Sequence, residues 1–360
     1  MAGAPATDCI GRNRELRSLV ARFSSGIKGT PGSVVIVGEP GFGKTTFLRQ
    51  WELPEVRKAV MGSASEALRF ARVRLDGPFE LSPSRLLALL RDAILDRPAT
   101  GADPGACKES ELDQALNEGL KRESRALVFL IDDFHRVTQS PVFPAVFFSY
   151  LRSLAYTRRA AFALTSRLDI GEMASRQDVQ SSPFFNIFSK VRMEPLGPDA
   201  TKALFQQRSS VAQALRDEHF EVLAAYTGGI PFIAAAAASR LDGLRERPAG
   251  IEPRAFLDAI ASGDVRDTLD AIWATIPPSC HAALKSIAVG GDGLTGGEQE
   301  TLRPLASRGY VNPDGWKLRG HVIAWDLARR LGTDAEALVA GLPAIPPLAR
   351  ESLWSRLWKR

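Results

Sequence analysis

A short glycine-rich loop carries the most specific chemical signal in this sequence of 360 residues. Residues 38–45 read G-E-P-G-F-G-K-T and match the pattern G-x-x-x-x-G-K-[ST] in full. An apolar run, 33–37, precedes the loop, and a helical pattern, 45–51, follows it. In that context the backbone N–H groups and the helix N-terminus bind phosphate, Lys44 reaches the β- and γ-phosphates, and the Thr45 hydroxyl is a ligand of Mg²⁺. The loop therefore predicts a site for a nucleoside triphosphate with Mg²⁺.

A second signal is a pair of carboxylates at the end of another apolar run, 127–131. Ionised groups at the end of a buried strand cost desolvation energy unless they meet a metal ion or a polar partner. Asp132 is predicted to hold Mg²⁺, directly or through water, and Asp133 to orient or deprotonate the attacking water. The alternative is that the two aspartates cap the next helix, but the phosphate loop favours the catalytic interpretation. Because aspartate is shorter than the more usual glutamate, we expect slow hydrolysis.

A third apolar run, 160–165, leads into Thr165, Ser166 and Arg167. If this strand lies beside the strand that ends in Asp132, its end faces the γ-phosphate, where a hydroxyl or a guanidinium group senses that phosphate. Arg167 is therefore a candidate sensor, and a surface salt bridge is its alternative role.

The elements that must position these groups alternate along the first half of the chain. Strand-like runs at 33–37, 68–75, 126–131 and 160–165 are separated by helical patterns near 84–95, 108–122 and 142–155, which predicts an α/β fold with a parallel sheet covered on both faces. After Pro195 the pattern is helical to about residue 262, with a break at 228–229. Residues 312–315, N-P-D-G, are a strong turn signal and resemble the wing of a winged helix. The predicted domains are a P-loop ATPase core (1–195), a helical lid (196–264), a winged-helix-like domain (265–342) and a C-terminal tail helix (343–360).

The composition limits the class of protein. Apolar residues make up 45% and charged residues 24% of the chain, which excludes a disordered chain and a coiled coil. The longest strongly apolar run, 232–238, is far shorter than the ~20 residues of a membrane span. We predict no membrane span, no secretory signal and three thiols in a reducing cytoplasm. The net charge of +5 permits an acidic partner without requiring one.

Five motifs occur together in a recognisable order: Gly11-Arg12 with Glu15, the phosphate loop, Asp132-Asp133, Thr165-Ser166-Arg167 and Gly229-Ile230-Pro231. Over roughly residues 8–330 the chain resembles the STAND ATPases, signal-transduction relatives of the AAA+ class. Its layout is also similar to that of the origin-recognition-type initiator ATPases. These initiators usually carry an arginine in the lid where this chain has the apolar stretch 232–238, and this difference favours the STAND assignment.

The resemblance implies an AAA+-like P-loop core, a helical lid and a winged helix, with ATP held between core and lid. Pro231 would open a lid helix against the nucleotide, although proline in a first helical turn is also ordinary helix chemistry. His321 would lie near the nucleotide, and Arg176 and Arg192 are candidate inter-subunit arginine fingers. The predicted catalytic residues are Lys44, Asp133 and Arg167. The predicted Mg²⁺ ligands are Thr45 and Asp132. The predicted nucleotide-binding residues are Ile10, Gly11 and Arg12 (the adenine pocket), Gly38, Glu39, Pro40, Gly41, Phe42, Gly43, Lys44, Thr45, Thr46 and Pro231.

Three functions compete at this point. The first is an ATP-driven switch that forms a homo-oligomer, with a separate sensor or effector protein because long C-terminal sensor repeats do not follow the winged helix. The second is a DNA-associated AAA+ ATPase, an initiator or a transposition regulator. The third, a protein that binds nucleotide without hydrolysis, is disfavoured by the intact motifs.

Residues 278–340 hold seven basic and seven acidic residues, whereas DNA-reading modules carry a basic excess, so the switch is favoured. Two acidic residues also stand near the start of the helix before the wing, and we expect Pro304 to interrupt that helix.

Overall fold

Four apolar runs of the sequence form neighbouring strands of one parallel sheet. The computed structural model describes residues 9–24, 31–76, 79–97, 103–123, 126–157, 160–174, 183–243, 250–288 and 294–345. The strand order is β2-β3-β4-β1-β5, and every pair is parallel. The predicted α/β fold with a parallel sheet is confirmed. The strands are β1 (Ser33–Val37), β2 (Leu68–Val73), β3 (Ala126–Ile131), β4 (Ala160–Ser166) and β5 (Phe188–Arg192).

The three central strands are buried along their whole length. Every residue of β1, β3 and β4 is buried, as in parallel sheets that are covered on both faces. The fifth strand, β5, was missed by the sequence analysis because Phe188–Arg192 contains Ser189 and Lys190 and only Val191 is buried. As an edge strand it pairs with β1 alone, so its outer side needs no apolar pattern.

Helices connect the strands in the way that parallel pairing requires. Those predicted near 84–95, 108–122 and 142–155 are confirmed, and Ser82 caps the first of them, with Pro83 in its first turn. The helices of this part are α1 (Asn13–Ser24), α2 (Lys44–Gln50), α3 (Pro54–Met61), α4 (Pro83–Ile94), α5 (Glu109–Glu123), α6 (His135–Gln139), α7 (Ala145–Thr157) and α8 (Ile170–Met173), with 3₁₀ turns at Gly62–Ala67 and Pro183–Ile187.

In the described part of the chain after residue 194, the elements are helices, one short hairpin and an isolated bridge between Ile251 and Ile345. The hairpin pairs β6 (Val311–Asn312) with β7 (Lys317–Leu318) around the turn at 312–315. The helices are α9 (Pro198–Arg208), α10 (Asp217–Thr227), α11 (Pro231–Gly243), α12 (Pro253–Ile260), α13 (Asp264–Trp273), α14 (His281–Ala288), α15 (Gly296–Ser307), α16 (His321–Arg330) and α17 (Ala335–Ala340), with 3₁₀ turns at Val211–Ala214 and Pro278–Cys280.

One expectation for this part was wrong. Pro304 does not interrupt its helix, since α15 continues to Ser307. A capping box of Thr295 and Glu298 stabilises the start of α15, and Leu302 and Leu305 are buried, so the helix tolerates the loss of one backbone hydrogen bond near its end.

By its internal contacts the chain divides into two units. The first unit comprises residues 1–38 and 44–193, and the second comprises 39–43 and 194–360. Five residues of the phosphate loop thus group with the C-terminal part of the chain. The finer division into lid, winged helix and tail stays a prediction, and residues 346–360, most of the predicted tail, lie outside the described residues. None of the helices in the described ranges is long and apolar enough to cross a membrane.

Aromatic side chains hold the first unit together. Phe184 is inaccessible to solvent, and its ring lies 5.0–6.1 Å from five other phenylalanine rings, which places it at the centre of this cluster. A second cluster joins Phe23 of α1 to Trp51 and Phe70, with ring centroids 5.1 and 5.5 Å from that of Phe23. This cluster anchors α1, and the predicted adenine-pocket segment directly precedes that helix.

We expect Phe184→Ala to lower the free energy of unfolding of the first unit by about 3–5 kcal/mol, because it leaves a cavity among packed rings. The measurement is the urea midpoint followed by near-ultraviolet circular dichroism. The matched control is Val146→Ala on α7, whose side chain is 70% exposed and whose loss we expect to change stability by less than about 0.5 kcal/mol. Equal midpoints for the two variants would contradict the assignment of the core.

Candidate functional site

The phosphate loop begins at Gly38, directly after β1, where the backbone is packed closely against Ser166 and Met193. The N–H of Gly38 donates to the carbonyl of Ser166, at the end of β4, over 3.1 Å. A Cβ atom on Gly38 would lie 2.9 Å from the Cβ of Met193 and 3.1 Å from its carbonyl oxygen. Only glycine fits there, because real Cβ contacts are longer. The first glycine of the motif is thus required by packing as well as by the ligand that the motif predicts.

Two other glycines give the loop its curvature. Gly41 and Gly43 have φ angles of +80° and +84°, which residues with a Cβ atom rarely adopt. Backbone N–H groups of successive residues in such turns form anion-binding concavities. The helix α2 then starts at Lys44, which is 9% exposed, while Thr45 is half-buried and Thr46 is exposed. These features fit the phosphate groups of a nucleotide.

The two carboxylates at the end of β3 are held by the neighbouring strand. The hydroxyl of Thr165, which is inaccessible to solvent in β4, donates to Oδ1 of Asp132 and accepts a 2.8 Å hydrogen bond from the N–H of Asp133. Asp133 has a φ angle of +52°, an unusual conformation for a residue with a side chain. Thr165 therefore clamps both aspartates, and the backbone strain at Asp133 is maintained by a buried partner.

Burial and charge perturb the titration of this cluster. The pKa of Asp133 is raised, first by burial and then by the nearby charge of Asp132, while Lys44, Arg136 and Arg167 oppose the shift. The pKa of His135 is lowered to about 4 by burial and by the positive charges of Arg167, Lys44 and Arg136. Shifts of this kind cluster at functional sites. At neutral pH the imidazole of His135 is therefore uncharged.

The sheet places Arg167 beside these carboxylates, as the sensor hypothesis requires. Ile131 of β3 pairs with Leu164 of β4, so the two strands end at the same edge of the sheet. The Nε of Arg167 is buried and has no hydrogen-bond partner in the described ranges. Of the two candidate arginine fingers, Arg192 forms a 2.8 Å salt bridge with Asp169, and Arg176 lies outside the described residues. The functional roles of all three arginines stay predictions.

The predicted adenine-pocket segment is a tight turn before α1. Gly11 has a φ angle of +72°, and the N–H of Arg12 donates to the carbonyl of Cys9 over 3.1 Å. The guanidinium of Arg12 is buried and bound to Glu15 over 3.2 Å. The side chain thus stabilises the turn, while Ile10 is only partly buried. Contact of these residues with adenine stays a prediction.

The second unit contains the middle of the phosphate loop. Helix α11 begins at Pro231, as predicted, and the N–H of Phe232 donates to the carbonyl of Gly41 over 3.1 Å. The carbonyl of Gly229, in the turn before α11, accepts a 2.7 Å hydrogen bond from the N–H of Leu196. This bond joins the turn to the segment that precedes α9. Residues 229–232 therefore determine where the loop segment 39–43 lies within this unit.

A buried ion pair ties the same loop segment to the hairpin region. Glu39 is 3% exposed, and its two carboxylate oxygens accept hydrogen bonds of 2.6 Å each from Nε and Nη2 of Arg308. The Tyr310 hydroxyl donates to the same carboxylate over 2.8 Å, and Arg308 also donates to the carbonyl of Thr275 over 2.9 Å. We call Glu39, Arg308 and Tyr310 the loop clamp. Burial, and after it the charge of Glu39, raises the pKa of Tyr310 strongly, so the hydroxyl keeps its proton.

The sequence analysis did not find the loop clamp. It named Glu39 only as a member of the phosphate motif, and its partners lie more than 260 residues further along the chain. No local pattern marks Arg308 as different from the other arginines near it. The ring of Phe42 packs edge-on to Tyr310 with 6.1 Å between centroids, so two of the variable positions of the motif serve this contact.

His321 lies in the second unit at the start of α16. Its ring packs edge-on to Tyr226 with 5.2 Å between centroids, and burial lowers its pKa. Its predicted position near a nucleotide stays a prediction.

The residues present fit Mg²⁺ as part of a nucleotide complex. In the described ranges, no group of three or more histidine, cysteine, aspartate or glutamate side chains is arranged to hold a metal ion. Mg²⁺ needs no such cage, since it usually takes one or two carboxylates together with substrate phosphates and water. Thr45 and Asp132 are the oxygen donors that would hold it.

Comparisons with known proteins agree with this fold. Residues 8–143 match the model of an AAA ATPase domain, and residues 110–260 match the model named Novel STAND NTPase 2. No curated protein sequence matches the chain.

Solved structures share the fold at low sequence identity. The ORC2 protein of Aeropyrum pernix, in ADPNP–ADP complexes, is similar with a TM-score of 0.58 and 17% identity, over 92% of this chain and 95% of that one. The Walker-type ATPase PABY2304 of Pyrococcus abyssi is similar with a TM-score of 0.57 and 14% identity, over 91% and 98%. The phosphate loop, the two family models and this likeness together show a P-loop NTPase fold, in which residues 8–143 are similar to an AAA ATPase domain and residues 110–260 to a STAND NTPase.

Proposed function

We propose that this protein is a Mg²⁺-dependent ATPase that acts as a molecular switch, in which the second unit responds to the nucleotide at the phosphate loop. The observation that carries the proposal is the loop clamp. A loop that only bound phosphate would need no buried ion pair at its second position. Here the loop segment 39–43 is packed into the C-terminal unit through Glu39, Gly41 and Phe42.

The chemical step follows from the groups at the ends of β3 and β4. Thr45 and Asp132 would hold Mg²⁺, which would supply positive charge next to the phosphate oxygens during phosphoryl transfer. Lys44 binds the β- and γ-phosphates, and Asp133 accepts a proton from the attacking water. A raised pKa suits Asp133 to this role because it makes the carboxylate a better base. Because the side chain of aspartate is shorter than that of the more usual glutamate, we expect ATP hydrolysis to be slow.

The switch follows from the energetics of the loop clamp. Glu39 is an ionised group without access to water, and it is tolerated only while Arg308 and Tyr310 satisfy both of its oxygens. If phosphate binding changes the conformation of the loop, either Arg308 and Tyr310 move together with Glu39 or three short hydrogen bonds break. Both outcomes transmit the nucleotide state to the region of α15 and the hairpin.

Homo-oligomerisation and a separate sensor or effector protein belong to this proposal through the STAND resemblance. DNA is the alternative partner, and the zero net charge of residues 278–340 does not favour it. The mass of the protein by light scattering, with ADP or a non-hydrolysable ATP analogue and with or without duplex DNA, tests these assignments. We expect a change in mass between nucleotides without DNA. A mass that changes only when DNA is added would support the DNA-associated ATPase instead.

We expect Lys44→Ala to abolish ATP binding or hydrolysis while the protein stays folded, since Lys44 supplies the charge at the terminal phosphates. Nucleotide titration by fluorescence, together with the melting temperature, provides the measurement. The control is Lys58→Ala on α3, a lysine outside the motif. Unchanged turnover in folded Lys44→Ala protein would refute the phosphate-loop assignment.

We expect Asp133→Asn to retain nucleotide affinity, stop hydrolysis and keep or raise the melting temperature of the nucleotide-free protein. Because the folded state raises the pKa of Asp133 above its unfolded value, the ionised carboxylate costs stability at neutral pH. That cost disappears as the pH falls below the unfolded pKa of about 4. Asparagine also tolerates the positive φ angle.

The melting temperatures of Asp133→Asn and wild type between pH 7 and pH 4 test this prediction, and the two curves should converge in acid. Asp132→Asn is the comparison variant, for which we expect weaker binding of the Mg²⁺–nucleotide complex. Equal loss of nucleotide affinity in both variants would contradict the division of roles between the two aspartates.

We expect Tyr310→Phe and Glu39→Gln to accelerate ADP release about tenfold or more, because hydrogen bonds to charged groups contribute about 1.5–3 kcal/mol each. Stopped-flow release of a fluorescent ADP analogue gives the rate. The control is Arg303→Lys, which changes an exposed arginine paired with Glu300 on α15, the helix that ends directly before Arg308. ADP release at the wild-type rate in both clamp variants would show that the loop clamp is structural only.

A further inference from the structure

His135 is the first residue of α6 and the second residue after Asp133. Its side chain is 9% exposed, and its Nδ1 lies 3.9 Å from Oδ1 of Asp133. That nitrogen is buried and has no hydrogen-bond partner within the described ranges. Buried polar atoms are almost always hydrogen-bonded, so an unpartnered ring nitrogen beside a carboxylate calls for a physical explanation.

The backbone on both sides of the imidazole is fixed. The N–H of Phe134 donates to the carbonyl of Thr165 over 2.9 Å, and the N–H of Arg136 donates to the carbonyl of Asp133 over 3.0 Å. The hydroxyl of Thr138 donates to the carbonyl of His135 over 3.2 Å, and the guanidinium of Arg136 is bound to the carbonyl of Leu75. The position of the ring is thus set by the turn that follows β3, and not by contacts of its own nitrogen.

The carboxylate of Asp133, in contrast, is only half-buried. Thr165 holds the backbone N–H of Asp133, but the side chain is 51% exposed. A general base must point at its water to be effective, because catalysis depends on the geometry of proton transfer. A neutral imidazole with its hydrogen on Nδ1 is a donor, and a shift of less than 1 Å brings the two atoms from 3.9 Å to hydrogen-bond distance.

We propose that His135 is a positioning residue for ATP hydrolysis, in which Nδ1–H holds the Asp133 carboxylate toward the attacking water. The inference rests on the proposed ATPase function. In the step concerned, the water oxygen bonds to the γ-phosphorus, the bond from that phosphorus to the β–γ bridging oxygen breaks, and ADP leaves. The proton of the water passes to Asp133 and then to phosphate or solvent. His135 donates one hydrogen bond throughout and neither gains nor loses a proton.

The competing explanation is that the imidazole only fills space at the start of α6. The two explanations differ in which replacement restores activity. Asparagine places an amide nitrogen where Nδ1 lies, so it keeps the donor and loses ring volume. Leucine keeps apolar volume and has no donor, and glutamine extends its amide beyond the Nδ1 position.

The experiment compares the full-length wild type with His135→Leu, His135→Asn and His135→Gln by steady-state hydrolysis of Mg²⁺–ATP, ADP affinity and melting temperature. We expect His135→Leu to lower kcat about 10- to 100-fold with KM and ADP affinity unchanged, a loss within the range of general-base catalysis. His135→Asn should recover kcat to within about threefold of wild type, and His135→Gln should not. Any residual hydrolysis by Asp133→Asn should not fall further when His135→Leu is added, because the two residues act as a unit.

Other outcomes overturn the assignment. His135 would be a structural residue if His135→Leu kept the full kcat. The same conclusion would hold if the leucine and asparagine variants lost kcat equally and in proportion to the fall in their melting temperatures. Hydrolysis at the wild-type rate by Asp133→Asn would overturn the role of Asp133 and that of His135 with it. If wild type hydrolyses ATP no faster than Lys44→Ala, the proposed ATPase function fails, so this result is distinct from a failure of the His135 proposal alone.

Discussion

The position of β4 between β1 and β3 is the constraint on which the candidate site depends. Parallel pairing puts the carboxyl ends of all three strands at one edge of the sheet. From the middle strand, Ser166 anchors the first glycine of the phosphate loop through its carbonyl, and Thr165 anchors Asp132 and Asp133 through its hydroxyl. One short segment of β4 therefore sets the geometry of both motifs.

Several unfavourable features are concentrated at the end of β3. Asp133 has a strained backbone and a carboxylate whose pKa is raised, and a buried nitrogen of His135 has no hydrogen-bond partner among the described residues. Each feature is unfavourable in isolation. They occur within three residues of each other at the end of a strand that is otherwise fully apolar. Such a concentration is expected where a fold holds reactive groups in place before the substrate binds.

In the loop clamp, by contrast, a buried charge has hydrogen-bond partners. The charge of Glu39 is fully satisfied by Arg308 and Tyr310, and the cost of burying it is offset by short, charge-assisted hydrogen bonds. An apolar contact of the same size would tolerate small shifts of the loop. A bidentate ion pair with a third donor does not, because each bond depends steeply on geometry. The loop segment 39–43 is thus sensitive to small changes in conformation, which is the property that a nucleotide switch needs.

The sequence by itself determined the local features of this protein. The runs that form β1, β3 and β4 are continuous and apolar because both faces of the sheet are covered, and the glycines and Lys44 of the phosphate loop follow a fixed spacing. The helix start at Pro231 was also predicted, since proline favours the first turn. Only the tertiary structure decided the rest. The edge strand β5 has no apolar pattern to reveal it, and the partners of Glu39 and of Asp133 come from distant parts of the chain. Hydrogen bonds and ion pairs between such segments depend on how the elements pack, and no periodicity in the sequence encodes that packing.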